Sequence, residues 1–146
     1  SYILSNTDSI SHAISKSDLV IGSVYVVGKE APKVITKDML KVMKPGSVIV
    51  DISIDQGGCV ETSRPTTHDD PIFIEDGVVH YCVTNMPGAV PLTASLALNQ
   101  ATLPYVEKIA DLGLSQALKE DLHLANGLNM ANGIVKHDSV SAALDN

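Results

Sequence analysis

Two aspartates four residues apart, Asp51 and Asp55, close a short apolar run and stand just ahead of two glycines, Gly57 and Gly58. A carboxylate at the end of a buried strand is partly desolvated, which favours its neutral form and suits it to handling a proton beside a bound ligand. Glycines next to it let the backbone approach that ligand closely or adopt positive φ. Asp55 is the candidate for such chemistry. The plainer alternative has Asp55 capping or bridging its loop while the glycines only turn it. Asn85, Met86 and Pro87 could set an amide and a soft apolar face against a flat ring, or simply end a strand stiffened by the proline. Arg64 could meet a carboxylate or phosphate, or be a solvated surface cation.

Other groups offer less. His12, His68, His80, His123 and His137 show no metal-binding spacing, and each reads as a surface or hydrogen-bonded histidine. Cys59 and Cys82 form no C-x-x-C unit and no zinc pattern, so two reduced thiols of a cytosolic protein are expected and no metal is. No Ser-His-Asp arrangement or phosphate loop stands out.

The groups at Asp51 and beyond need a frame. Residues 18–24, 47–52 and 78–84 are short, nearly continuous apolar runs, the pattern of strands buried on both faces. Thr7 or Asp8 can cap a helix through Ile10, Ala13 and Ile14. Residues 28–33, with Pro32, read as a loop. Thr36 caps a helix over residues 37–43, which Lys44, Pro45 and Gly46 stop. Strand, helix, strand with short links predicts a parallel α/β layer. Ligands of such sheets lie beyond the strands' C-terminal ends, where residues 24–26, 53–58 and 84–86 fall. Residues 59–77 read as polar and turn-rich, without an element.

From Thr93 onward Ala, Leu and Gln dominate. A long helix is expected through Tyr105 and Ala110, with Pro104 as a kink and Gly113 as its end. A short helix over residues 115–119, turns at Asn126-Gly127 and Asn132-Gly133, and a last helix from Asp138 complete the reading.

Composition narrows the function. The chain has 146 residues, 45% hydrophobic, so it can bury a core. A net charge of −7 with scattered Lys and Arg leaves no basic stripe for phosphates, and 3% aromatics are too few to stack bases. Nucleic-acid binding is not expected. No apolar run approaches ~18–20 residues, so no membrane span is expected either. Residues 1–6 do not read as a signal peptide. The sequence also holds no Gly-x-Gly-x-x-Gly turn, which predicts a chain that enters in the middle of its sheet, with the first βαβ unit upstream.

Several blocks, in order, resemble the alanine dehydrogenase family: GKEAPKVIT (28–36), MKPGSVIVD (43–51), DISIDQGGCVETSRPTTHDDP (51–71), HYCVTNMPGAVPLTAS (80–95) and ALNQATLPYV (97–106). The nucleotide-binding subunit of proton-translocating transhydrogenase shares the Gly-Gly-x-x-Glu-Thr string, but there the aspartate before Gly-Gly is replaced. Asp55-Gln56-Gly57-Gly58 therefore favours the first family.

The resemblance implies an NAD-dependent enzyme that interconverts L-alanine with pyruvate and ammonium, cytoplasmic and homohexameric. It implies a C-terminal half of a Rossmann-type NAD-binding domain over residues 1–91, then helices of a discontinuous substrate domain over residues 92–146. The family's catalytic aspartate matches Asp55. Its nucleotide contacts match Ser5, Val24, Tyr25, Ile52, Ser53, Ile54, Asp55, Arg64, Val83, Thr84, Asn85 and Met86. Its catalytic histidine and pyruvate-binding arginine and lysine lie upstream of the matched blocks. Residues 1–146 alone are therefore expected to be inactive, as one part of the enzyme or as a non-catalytic assembly fragment with exposed edges.

Overall fold

The computed structural model describes residues 2–27 and 30–144. Gly28 and Lys29, which open the expected loop at 28–33, lie outside the described residues. The chain forms two compact units, Ser1–Met86 and Pro87–Asn146.

The first unit opens with helix α1, Thr7–Lys16. Its cap is Asn6 rather than Thr7 or Asp8. The Asn6 side chain accepts from the Ser9 amide at 2.8 Å, and Ser9 Oγ accepts from the Asn6 amide at 3.0 Å. Only a side chain one residue earlier can form this reciprocal cap with Ser9. Four strands follow: β1 Leu19–Gly22, β2 Val48–Asp51, β3 Ile72–Glu75 and β4 Val78–Tyr81. They lie in the order β1-β2-β4-β3, giving a mixed α/β unit with a mostly parallel sheet. β1, β2 and β4 run parallel, with Val20 opposite Ile49 and Ile49 opposite His80.

β3 is the element that the turn-rich reading of residues 59–77 overlooked. It runs antiparallel to β4, with Phe73 opposite His80. Asp76 and Gly77, at φ 49° and 79°, make the two-residue turn between them. Asp-Gly between β-prone runs is a strong hairpin signal.

One sheet face carries the core. Ile49 and Val78 pack with Ile14, Ile35, Met39, Leu40, Cys59 and Val60, and Ile10, Val20 and Val24 close its rim. The strands are not buried on both faces as expected. β1 is an edge strand whose Val20 and Gly22 turn inward, while Leu19 and Ile21 remain 55% and 59% exposed. The helix expected over residues 37–43 is present as a 3-10 helix, Lys37–Val42, but the Thr36 side chain does not cap it. Pro45 forbids a longer helix, and the Glu61 carboxylate takes over the capping role at the Lys37 amide, 2.7 Å away.

In the second unit, α2 runs Pro91–Leu112, starts on a proline suited to a first turn, passes through Pro104 and ends at Gly113. None of its residues is buried, and Leu92, Leu96, Leu98 and Val106 are exposed. α3 is Leu114–Glu120 and α4 is Leu122–Asn126. Asp121 caps α4 through the His123 and Leu124 amides and pairs with Lys108 at 2.7 Å. β5 Met130–Ala131 and β6 Ile134–Val135 form a hairpin over Asn132-Gly133, both at positive φ, and α5 is Asp138–Leu144. Among the described residues no helix is long and apolar enough to cross a membrane.

The core leaves no room at the end of β1. A Cβ on Gly22 would stand 2.5 Å from Cys59 Sγ. Gly22→Ala is expected to destabilise the first unit by about 1–3 kcal/mol through overpacking. Cys59→Ala in the same chain should restore part of that loss. Urea denaturation of the single and double variants measures both, and an unchanged midpoint for Gly22→Ala would refute the tight fit.

Candidate functional site

The apolar strand β2 delivers a carboxylate, Asp51, into the interior, where it is fully buried. A buried carboxylate must find donors, and the loop after β2 supplies them. Oδ1 accepts from the Ser53 amide at 3.0 Å and from the Cys59 thiol at 3.4 Å. Oδ2 accepts from the amides of Cys59 and Val60 at 2.9 and 3.2 Å and from the Ser63 hydroxyl at 2.6 Å. The chain must curl sharply to aim these groups inward. Gly57 and Gly58 allow it, at φ 86° and 76°. A Cβ on Gly58 would meet Asp51 Oδ2 at 2.8 Å. Lys33 braces the curl from outside by donating to the carbonyls of Gly57 and Gly58. Of the two aspartates, Asp51 is therefore the architectural one.

Between Asp51 and the glycines, Ile52–Gln56 winds into one short 3-10 helix. Ser53 latches it to the segment leaving β1: its hydroxyl accepts from the Val24 amide at 2.8 Å and donates to the Val24 carbonyl at 2.9 Å. Beside this latch lies a cleft of about 230 Å³ at the C-terminal ends of β1 and β2, lined by Ser23, Val24, Tyr25, Ile52, Ser53, Asp55 and Gln56. That is where open parallel sheets receive ligands. It is smaller than the roughly 300–1,000 Å³ of a pocket for a whole drug-sized ligand, but suits one flat ring. Tyr25 and Ile52 offer exposed apolar surface there, and Asp55 an exposed carboxylate. The expected desolvation of Asp55 is thus not met: it sits on the rim, and the buried member of the pair is Asp51. Gln56 Oε1 is buried without a hydrogen-bond partner.

Five of the expected contact residues, Val24, Tyr25, Ile52, Ser53 and Asp55, therefore share one cleft. Ile54 does not line it, because its side chain is buried. Val83 is also fully buried, while Thr84 and Met86 are half-buried and Asn85 is exposed at the end of β4. Asn85 takes the left-handed conformation, φ 54°, and its carbonyl accepts from His68 Nε2 at 3.1 Å. Ser5 is exposed ahead of α1 and does not line the cleft. Arg64 lies outside it too: its guanidinium sits 4.1 Å from the centre of the Phe73 ring, a cation–π contact. Phe73 stacks in turn on His80 at 4.8 Å.

His80 is a buried, satisfied histidine. Nδ1 donates to the Val78 carbonyl at 3.0 Å, so in the neutral ring Nε2 accepts from the Thr62 hydroxyl at 2.8 Å. Burial pushes its pKa below the ordinary value of 6.5. Cys59 and Cys82 are free and buried, and burial raises both thiols. Among the described residues no three His, Cys, Asp or Glu side chains gather as a metal site. A larger hollow of about 350 Å³ in the second unit is lined mainly by apolar groups of Tyr105, Val106, Ile109 and Leu124, with His123 its one titratable side chain besides Tyr105. The β1–β2 cleft, where a carboxylate, an amide and backbone polar groups converge, is the better site.

Ser63 and Gln56, and the structural role of Asp51, are what residue types alone did not single out. The signal for Asp51 was a carboxylate as the last residue of an apolar strand, with glycine-freed amides a few residues on.

Residues 1–138 match the family model described as alanine dehydrogenase/PNT, C-terminal domain. The chain belongs to that family. It is 55% identical over 141 residues to an alanine dehydrogenase of Halomonas elongata and 54% identical over 142 residues to one of Staphylococcus haemolyticus. Each match covers 97% of this chain but only 38% of the relative's length. Among solved structures, an L-alanine dehydrogenase superposes with a TM-score of 0.82 at 49% identity, over 97% of this chain and 39% of that one. A transhydrogenase from Sinorhizobium meliloti gives 0.69 at 25% identity, over 92% of this chain and 36% of that one. The alanine dehydrogenase/PNT domain is thus an oxidoreductase-family domain with a mostly parallel α/β sheet.

Asp51→Asn turns one acceptor oxygen into a donor facing donors. It is expected to cost about 2–4 kcal/mol, against about 1 kcal/mol for Ser63→Ala. Equal midpoints for the two variants in urea titrations would refute the hub. For His80 the unfolded chain takes up a proton near pH 6.5 and the folded chain does not. Stability should therefore fall as pH drops through about 6.5 until the lower folded value is reached. His80→Phe should flatten that loss between about pH 7.5 and 5, as read from denaturation midpoints across the range; a slope equal to the parent's would overturn the assignment.

Proposed function

We propose that this chain is the nicotinamide-side part of an NAD-dependent L-alanine dehydrogenase, which converts L-alanine reversibly to pyruvate and ammonium. The supporting observation is the cleft at the ends of β1 and β2, with Asp55 on its rim, in a chain 55% identical to an alanine dehydrogenase. The chain spans 38% of that relative, so the reaction is proposed for the protein that contains it. In this reading residues 1–91 belong to the NAD-binding Rossmann-type domain and residues 92–146 to the substrate domain. Residues 1–146 alone do not turn over in this reading, because the resemblance puts the groups that hold the substrate carboxylate outside the matched blocks.

The residues present fit the cofactor's ring end. The cleft has the size of one ring, Tyr25 and Ile52 offer it apolar faces, and the unpartnered Gln56 Oε1 can accept from an amide. Bound there, NAD would supply the hydride acceptor. The protein's own part is positioning and charge. Ser53 ties the two walls of the cleft together at a fixed spacing through its bonds to Val24. Asp55 faces the reacting centre, orients it and manages its proton. Asn85 and Met86, after β4, line the ring's other side, and Arg64 serves the nucleotide's charged part from its seat on Phe73. The exposed apolar residues of α2 support assembly with further protein surface, such as a homohexamer. The protein is cytoplasmic in this reading.

The test is Asp55→Asn in the full-length protein. L-alanine-dependent NADH formation should fall by about 100-fold or more, while the dissociation constant for NAD stays within a few-fold. Normal turnover by the variant would sink the assignment of Asp55.

A further inference from the structure

We infer that Gln56 is the residue that reads the carboxamide of the nicotinamide ring, so that the cleft separates a ring bearing an N–H donor from one without it. The inference rests on the NAD reading above and deepens it.

Gln56 lines the cleft beside Asp55, Ser53 and Tyr25. Its backbone is fixed: its carbonyl accepts from the Ala31 amide at 2.9 Å, and the Gly57 amide that follows it donates to the Ile54 carbonyl at 3.0 Å. Oε1 is buried and makes no hydrogen bond, a rare state for a buried acceptor. Turning that oxygen toward a donor in the cleft therefore breaks no hydrogen bond and makes one. The other polar side chains of the cleft are less suited. The Ser53 hydroxyl already both donates to and accepts from Val24. An ionised Asp55 only accepts. Gln56 alone among these three offers a donor and an acceptor side by side, the pattern that a carboxamide mirrors.

Among the described residues the other buried unpartnered side-chain oxygen is Ser47 Oγ. It lies just before β2, at the end of the strand away from the cleft, so the unspent acceptor at the ligand end belongs to Gln56.

Calorimetric titration of the full-length protein with NAD and with its 3-acetylpyridine analogue, whose ring substituent has a carbonyl but no N–H, tests this. The parent should bind NAD about 5- to 10-fold more tightly than the analogue. Gln56→Leu should bind the two alike, and Gln56→Glu, which keeps an acceptor, should retain the preference. Gln56→Met serves in place of the leucine variant if that does not fold. A preference unchanged in the apolar variant, or absent in the parent, overturns the inference and leaves NAD binding intact. No binding of either nucleotide by the parent overturns the NAD reading and this inference together.

Discussion

A charge-bearing group placed inside an apolar core organises everything around it, and in this molecule that group is the Asp51 carboxylate. β2 carries it inward between Ile49 and the loop, where no water reaches it. Leaving it unpaired would cost more than the fold can spare, so the following residues bend until five donors point at it. That requirement explains Gly58, where no side chain fits, and Ser63, whose hydroxyl also takes a contact from the Cys82 thiol at 3.6 Å. It also fixes where Arg64 leaves the loop, and hence its seat on Phe73.

The two aspartates of one short motif thus divide their work by depth. Asp51 is spent on structure and has no lone pair to offer a ligand. Asp55 is four residues further along a 3-10 helix, on the rim, with its carboxylate exposed. Ser53, bonded twice to Val24, joins the loop after β2 to the segment leaving β1 at the edge of the cleft. The exposed carboxylate of Asp55 is thereby carried on backbone that the buried hub has already fixed.

The far edge of the sheet follows another logic. β3 and β4 pair through the Asp76-Gly77 turn, and their facing rings, Phe73 and His80, continue outward to the Arg64 guanidinium. His80 can be buried there because both ring nitrogens are satisfied in its neutral form. The stack connects the hub's loop to the edge of the sheet by packing as well as by hydrogen bonds.

Much of this was legible in the order of residues. Apolar runs ahead of polar turns marked the three parallel strands, Gly113 and Asp138 marked helix boundaries, and the string from Asp51 to Gly58 marked where β2 ends and the chain turns. Such features are local: they depend on period, on the φ that glycine allows and on caps a few residues away. Other features were not local. Asn6 outranked Thr7 as a cap because Ser9 could answer it. Leu19 and Ile21 stayed exposed because β1 lies at an edge of the sheet, which only strand order decides. The choice between Asp51 and Asp55 was also tertiary. Period and composition treat the two carboxylates alike; their roles parted only when the fold brought the amides of Cys59 and Val60 and the hydroxyl of Ser63 to one of them and left the other facing the cleft.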